Sequence, residues 1–133
     1  MPALVVDTHS VVWYLTKNTA LSKAAEASLD AATAEGHPIL VPSMCLVELS
    51  YLVEKGKLPA EARQVLVDSL DHPGEPYELA ALDRRVADAL EFVSRQEVPD
   101  LPDRVIAATA LALRVPLVSR DRKIRASSIQ TIW

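Results

Sequence analysis

The chain has 133 residues, half of them apolar, with 18 acidic against 14 basic side chains and a formal net charge of −4. This size and apolar content support one core without staples, and the lone Cys45, set among Met44, Leu46 and Val47, excludes an internal disulfide and reads as a buried thiol in a reducing compartment. The charge speaks against a general basic nucleic-acid binder; with no signal-peptide pattern and no apolar run near the ~20 residues that span a bilayer, one cytoplasmic domain over 1–133 without membrane contact is expected.

Ala3-Leu4-Val5-Val6 is a short continuous apolar run, the pattern of a strand buried on both faces of a parallel sheet, and it ends at Asp7. The next segment is helical, with Asp7 or Thr8 able to cap it and Val11, Val12 and Leu15 on one side. Ser22 caps a second helix from Lys23 to about Glu35, striped by Leu21, Ala25, Leu29 and Ala32 and stopped by Gly36. Pro38 to Pro42 brackets a second strand, after which Ser43 is expected to cap a helix to about Lys55. A helix restarts at Leu58-Pro59-Ala60 and runs to about Leu70, and His72-Pro73-Gly74 breaks the chain. Tyr77 to Ala80 forms a third strand, and Asp83 caps another helix. An Ala-rich helix follows from about Pro102 to Leu113, then a fourth strand, Val115 to Val118, and a short strand at Gln130 to Trp133. Strands separated by helices imply parallel crossovers, so the expected fold class is α/β: a three-layer α/β/α sandwich around a four- to five-stranded, mainly parallel sheet.

In such sheets ligands bind beyond the carboxyl ends of the strands, near the switch in strand order. Asp7 ends the first strand and Asp121 lies three residues past the fourth, so both fall at that edge. Each has an ordinary alternative as a helix cap or turn residue. Glu48 has Met44, Cys45, Tyr51 and Leu52 as its helical neighbours, an apolar face on which a lone carboxylate is costly, so it needs a metal ion or a distant Arg. Asp103 sits at the start of the Ala-rich helix, three residues after Asp100, where capping and the helix dipole would explain both acids without function. Four acids from four segments brought to one sheet edge would repel unless a cation neutralised them. Carboxylates without a His or Cys cluster suit Mg²⁺ or Mn²⁺, and the natural chemistry is phosphodiester hydrolysis.

Charge is also unevenly placed. From Asp103 onward six basic residues (Arg104, Arg114, Arg120, Arg122, Lys123, Arg125) face two acidic ones, a local balance of +4 against −4 for the whole chain. Arg120 to Arg125 surrounds Asp121 with cations, either as a phosphate-tracking loop or as a solvated charged one. His9 is read as a packing or hydrogen-bonding residue rather than a general base, and Trp13 and Tyr14 as core or dimer contacts rather than base-stacking groups.

Several segments in order resemble the PIN-domain family, in particular the ribonuclease toxins of VapBC toxin-antitoxin pairs. They are Val5 to His9 with Trp13, Pro42-Ser43 leading into Val47-Glu48-Leu49, Glu54 to Leu58, Asp100 to Ala110, and Leu117 to Asp121, and they span nearly the whole chain. The resemblance implies metal binding by Asp7, Glu48, Asp103 and Asp121. It adds Ser119 to the catalytic set, at a position where relatives carry Thr or Ser and order a metal-bound water or a neighbouring contact; Thr8 is a similar candidate, and Asp100 recurs as a cap or a ligand. It further implies an RNA substrate, a homodimer, and a cognate antitoxin that blocks the acidic pocket.

Two other functions compete. A haloacid-dehalogenase-type phosphatase also starts from an aspartate after an apolar strand, but its second aspartate, two residues on, is replaced here by His9. A PIN-fold scaffold or RNA-binding module without catalysis would be expected to have lost one or more of the four acids, all of which are present.

Overall fold

The computed structural model describes residues 3–133. β1 (Leu4–Val6) leads into α1 (Thr8–Thr16) and α2 (Lys23–Ala34), and β2 (Ile39–Pro42) into α3 (Ser43–Glu54) and α4 (Ala60–Asp71). β3 (Tyr77–Ala80) is followed by α5 (Arg84–Ala89), a 3-10 turn at Leu90–Phe92 and α6 (Leu101–Leu113). β4 (Leu117–Val118), α7 (Arg122–Ala126) and β5 (Thr131–Ile132) complete the chain.

The strands form one sheet in the order β3-β2-β1-β4-β5, and every pairing is parallel. Leu4 and Val5 of β1 lie opposite Ile39 and Leu40 on one side, while Val5 and Val6 lie opposite Leu117 and Val118 on the other. Connections leave β1 in both directions across the sheet, so right-handed crossovers put helices on both of its faces, the three-layer α/β/α arrangement. Leu4, Val5, Val6, Ile39, Val41, Leu117 and Val118 are all fully buried, as central strands covered on both faces require. The helices close over them with Leu29, Leu49, Leu66 and Ile106. Among the described residues no helix is long and apolar enough to cross a membrane.

Local signals set most element ends. Asp7, Ser22, Asp83 and Asp100 each accept a hydrogen bond from a backbone N–H of the helix they precede, satisfying donors left free in its first turn. Gly36 takes a left-handed φ of 78° just beyond α2, a conformation that costs glycine little. Ser43 differs from expectation. β2 passes into α3 with Pro42 in the cap position and no side-chain cap; Ser43 is the first helical residue, and its hydroxyl donates to the Ala80 carbonyl at the end of β3. The Arg120 to Arg125 segment is also not a plain loop. Asp121 accepts from the N–H groups of Lys123 and Ile124, and this cap, with the fully buried Ile124, sets the short helix α7.

Candidate metal centre

The strand order reverses between β1 and β4, and Asp7 and Asp121 follow those two strands. The Asp7 N–H donates to the Val118 carbonyl at 3.2 Å, which fixes the first acid against β4. Ser119, fully buried just past β4, accepts from the Asp121 N–H at 3.1 Å and donates its own backbone N–H to the Ile132 carbonyl of β5. It therefore lies beneath the turn that carries Asp121 and shapes it.

A cavity of about 550 Å³ opens at this switch point. Asp7, Glu48, Asp103 and Asp121 all line it, together with Asp100. Oxygens of Glu48, Asp100 and Asp103 lie within 4.8 Å of one another, close enough to share one cation. Asp7 uses Oδ1 to accept from the Ser10 N–H at 2.9 Å, and Asp121 uses Oδ1 for the two N–H groups of α7. Among the described residues the Oδ2 atoms of both make no hydrogen bond, so capping and an open oxygen coexist in each side chain. Asp100 is likewise a cap, accepting from the Asp103 N–H through Oδ2, and a member of the acidic cluster. The two explanations of these acids are not exclusive.

Glu48 is half-buried rather than enclosed, since Tyr51 on its own helix keeps 56% of its surface in water while Cys45 is fully buried. Among the described residues no Lys or Arg pairs with it. The Thr8 hydroxyl donates to Glu48 Oε1 at 2.5 Å, a short charge-assisted bond from the start of α1 to the middle of α3. A link between residues so far apart in the chain has no local signal. Behind it the Cys45 thiol donates to the Val6 carbonyl at 3.7 Å, and burial, with Asp7 and Glu48 nearby, holds it well above the usual thiol range.

The electrostatic cost of the cluster falls on Asp103. Burial first, then the charges of Asp100, Asp121, Glu48 and Asp7, push its carboxyl up to about 7 from an ordinary 3.8. The start of α6 favours an anion by about 0.3–1 kcal/mol, far less than such a shift represents, so desolvation and like charge win. Four carboxylates therefore act on a fifth, and a cation among them would relieve that repulsion.

The donor set fits a hard divalent ion such as Mg²⁺ or Mn²⁺: it is oxygen only, and the His9 ring, although at the cavity, is outside the group. Ser10 adds an independent sign. Its side chain is 1% exposed and borders the cavity, yet its Oγ has no hydrogen-bond partner among the described residues, an expensive state unless something in the cavity supplies one. Its only sequence signal is its place in the first turn after Asp7.

Residues 4–128 match the family model described as PIN domain. The chain belongs to the PIN-domain family. Solved structures agree with this PIN domain in fold. VapBC2 from Rickettsia felis, bound to a DNA fragment from its promoter, superposes with a TM-score of 0.69 at 20% identity, covering 97% of this chain and 96% of that one. A toxin-antitoxin complex from Klebsiella pneumoniae gives 0.65 at 20% identity, covering 98% and 96%. VapBC-5 from Mycobacterium tuberculosis gives 0.59 at 19%, covering 98% of both chains. No curated protein sequence matches the chain significantly.

Trp13 packs half-buried against the core, as expected, and also lines the PIN-domain cavity, with the Arg120 guanidinium 4.7 Å from its ring centroid and the His9 ring centroid 5.5 Å away. Arg122 and Lys123 complete a basic border. Arg104 takes no part in it, because its guanidinium donates to the Leu90 and Val93 carbonyls and pins the 3-10 turn to α6.

Proposed function

We propose that this PIN domain is a metal-dependent endoribonuclease, hydrolysing RNA phosphodiester bonds with Mg²⁺ or Mn²⁺, and that it is the toxin of a toxin-antitoxin pair. The observation that carries the reading is the convergence of Asp7, Glu48, Asp100, Asp103 and Asp121 on one cavity whose border is basic. Members of the family are typically metal-dependent nucleases. When bound, the ion supplies charge neutralisation at the phosphate and a water of lowered pKa.

The chain's own residues do the rest. Glu48, Asp103, Asp7 and Asp121 would hold the ion, and Asp100, beside Glu48 and Asp103, would join them. Thr8 fixes the Glu48 carboxylate, and Ser119 fixes the turn that presents Asp121. The carboxyl of Asp103, raised to about 7, would have to be deprotonated to hold an ion, which would couple metal affinity to pH. Arg120, Arg122 and Lys123 hold the phosphates that flank the scissile one.

The toxin role is supported by the neighbours, which are toxin-antitoxin complexes. It implies a cytoplasmic protein held silent by a cognate antitoxin over the acidic cavity. A homodimer is supported by apolar surface: Val47 and Tyr51, one turn apart on α3, are 60% and 56% exposed, and Phe92 70%.

The test is cleavage of total RNA by purified protein freed of any antitoxin, with and without EDTA. Cleavage that needs Mg²⁺ or Mn²⁺ and falls at least 100-fold in Asp7→Asn is expected. No cleavage with either metal, or equal cleavage by the variant, would reject the reading in favour of a non-catalytic PIN-fold scaffold.

A further inference from the structure

A second cavity of about 550 Å³ adjoins the acidic one and is lined by Arg120, Asp121, Arg122, Arg125 and Trp133. The first three residues border both cavities, so a ligand continuous with the acidic site can run into it. Its three arginines are exposed, and among the described residues none has a carboxylate oxygen within 4.0 Å. The acidic side chain in the wall, Asp121, already gives Oδ1 to the N–H groups of α7. In a chain of net charge −4, three unpaired arginines around one hollow require an anion or water, and a multivalent anion answers them best.

The aromatic groups narrow the choice. Trp133 lies 6.1 Å from Trp13 at 57°, and Trp13 carries Arg120 over its ring, so two indoles and a guanidinium mark the border between the cavities. The frame is anchored: Ile124 of α7 is fully buried, and β5, which leads into Trp133, is paired along β4. Arg122 and Arg125 are three residues apart on α7 and share a face. A simple anion would use the arginines and ignore the rings, and an apolar peptide side chain would not settle among three cations. Alternating phosphates and flat bases, as in single-stranded nucleic acid, use both.

We infer that the Arg122–Arg125–Trp133 cleft is a nucleotide subsite for single-stranded RNA, holding the nucleotide next to the pair whose bond is cut. Its phosphate sits on Arg122 and Arg125, and its base packs on Trp133 beside Arg120. The subsite rests on the nuclease reading above and goes beyond it in requiring a substrate of at least three nucleotides, unpaired at that point because a base in a duplex is not free to stack on the protein.

The test uses Arg125 and Trp133, which border only the second cavity. Binding of a fluorescein-labelled octaribonucleotide is measured by anisotropy in an Asp7→Asn background across a salt series, and cleavage is measured in the active protein. Arg125→Gln lowers the slope of log affinity against log salt by about 0.7, the value for one phosphate contact to a single strand. Trp133→Leu, which keeps an apolar group against the core, weakens binding by about 5- to 150-fold. Both variants lose kcat/KM on the octamer and cut a dinucleotide at the wild-type rate. Unchanged octamer binding and cleavage in both variants, with wild type cutting RNA, would remove the subsite and leave the nuclease reading standing. Wild type that cuts no RNA removes both. If the variants bind the octamer normally but lose affinity for an antitoxin peptide, the cleft belongs to a protein partner and the inference is overturned.

Discussion

Replacing Asp103 by Asn should make the metal-free protein more stable while destroying its activity. Asp103 in the folded chain has its carboxyl raised to about 7 from 3.8, by burial and by four neighbouring carboxylates. Between those two values the folded state keeps a proton that the unfolded chain has released, so the contribution of this carboxyl to stability is fully present below about pH 4 and is lost as pH rises through 7. The shift corresponds to about 4 kcal/mol at most. Asp103 keeps part of its surface in water, and screening brings the expected effect to about 2 kcal/mol. Asn has nearly the same shape and no charge to lose, so this penalty disappears in Asp103→Asn. Urea unfolding in EDTA, at pH 5 and pH 8, should show wild type losing about 1 kcal/mol more than the variant, since the step from pH 5 covers only part of the interval between the two pKa values. At a Mg²⁺ concentration 100 times its dissociation constant wild type should regain about 2.7 kcal/mol, and the variant little. If wild type and Asp103→Asn lose stability in parallel from pH 5 to pH 8, the raised carboxyl and the crowding argument behind it are wrong.

Three further outcomes follow from the supporting contacts. Thr8→Val removes the hydroxyl that donates to Glu48 and should weaken Mn²⁺ binding about 10- to 100-fold, measured by calorimetry, with the fold retained by circular dichroism. Asp100→Ser keeps a helix cap and Asp100→Ala does not, so their melting points should differ by the equivalent of about 1 kcal/mol, while both lose a similar factor in metal affinity if Asp100 is a ligand; equal wild-type affinity in the two would leave it a cap alone. Ser119→Ala frees the turn that carries Asp121 and should lower RNA cleavage about 10-fold or more, an effect that Ser119→Thr restores.

Residues whose role is local were the ones readable in the chain. Ser22 and Asp83 cap the helices expected of them, and the apolar runs at Leu4–Val6 and Leu117–Val118 became buried central strands. Topology then did what sequence spacing suggested, carrying Asp7 and Asp121 to adjacent strand ends at the switch in strand order. Contacts across the fold were not readable. Thr8 meets Glu48 across 40 residues, the buried Ser10 Oγ has no partner among the described residues, and Trp13, which packs on the core as expected, also meets Arg120 from the far end of the chain. Ser43 followed good cap statistics, but the direct passage from β2 into α3 left no room for an N-terminal cap, and its hydroxyl turned to β3 instead. The α7 helix was hidden because five residues, three of them charged, show no periodicity.

If a cation held by these carboxylates is the agent of RNA cleavage, metal occupancy and cleavage followed in the same samples must move together. Free Mn²⁺ is counted by electron paramagnetic resonance as it is titrated into metal-stripped protein, and the cleavage rate of a labelled RNA is read at each point. Occupancy and rate are expected to rise together, and Glu48→Gln to move both curves to higher Mn²⁺ by the same factor. Cleavage before any Mn²⁺ is bound, or Mn²⁺ binding that Glu48→Gln leaves unchanged, would rule out these carboxylates as the seat of the catalytic ion.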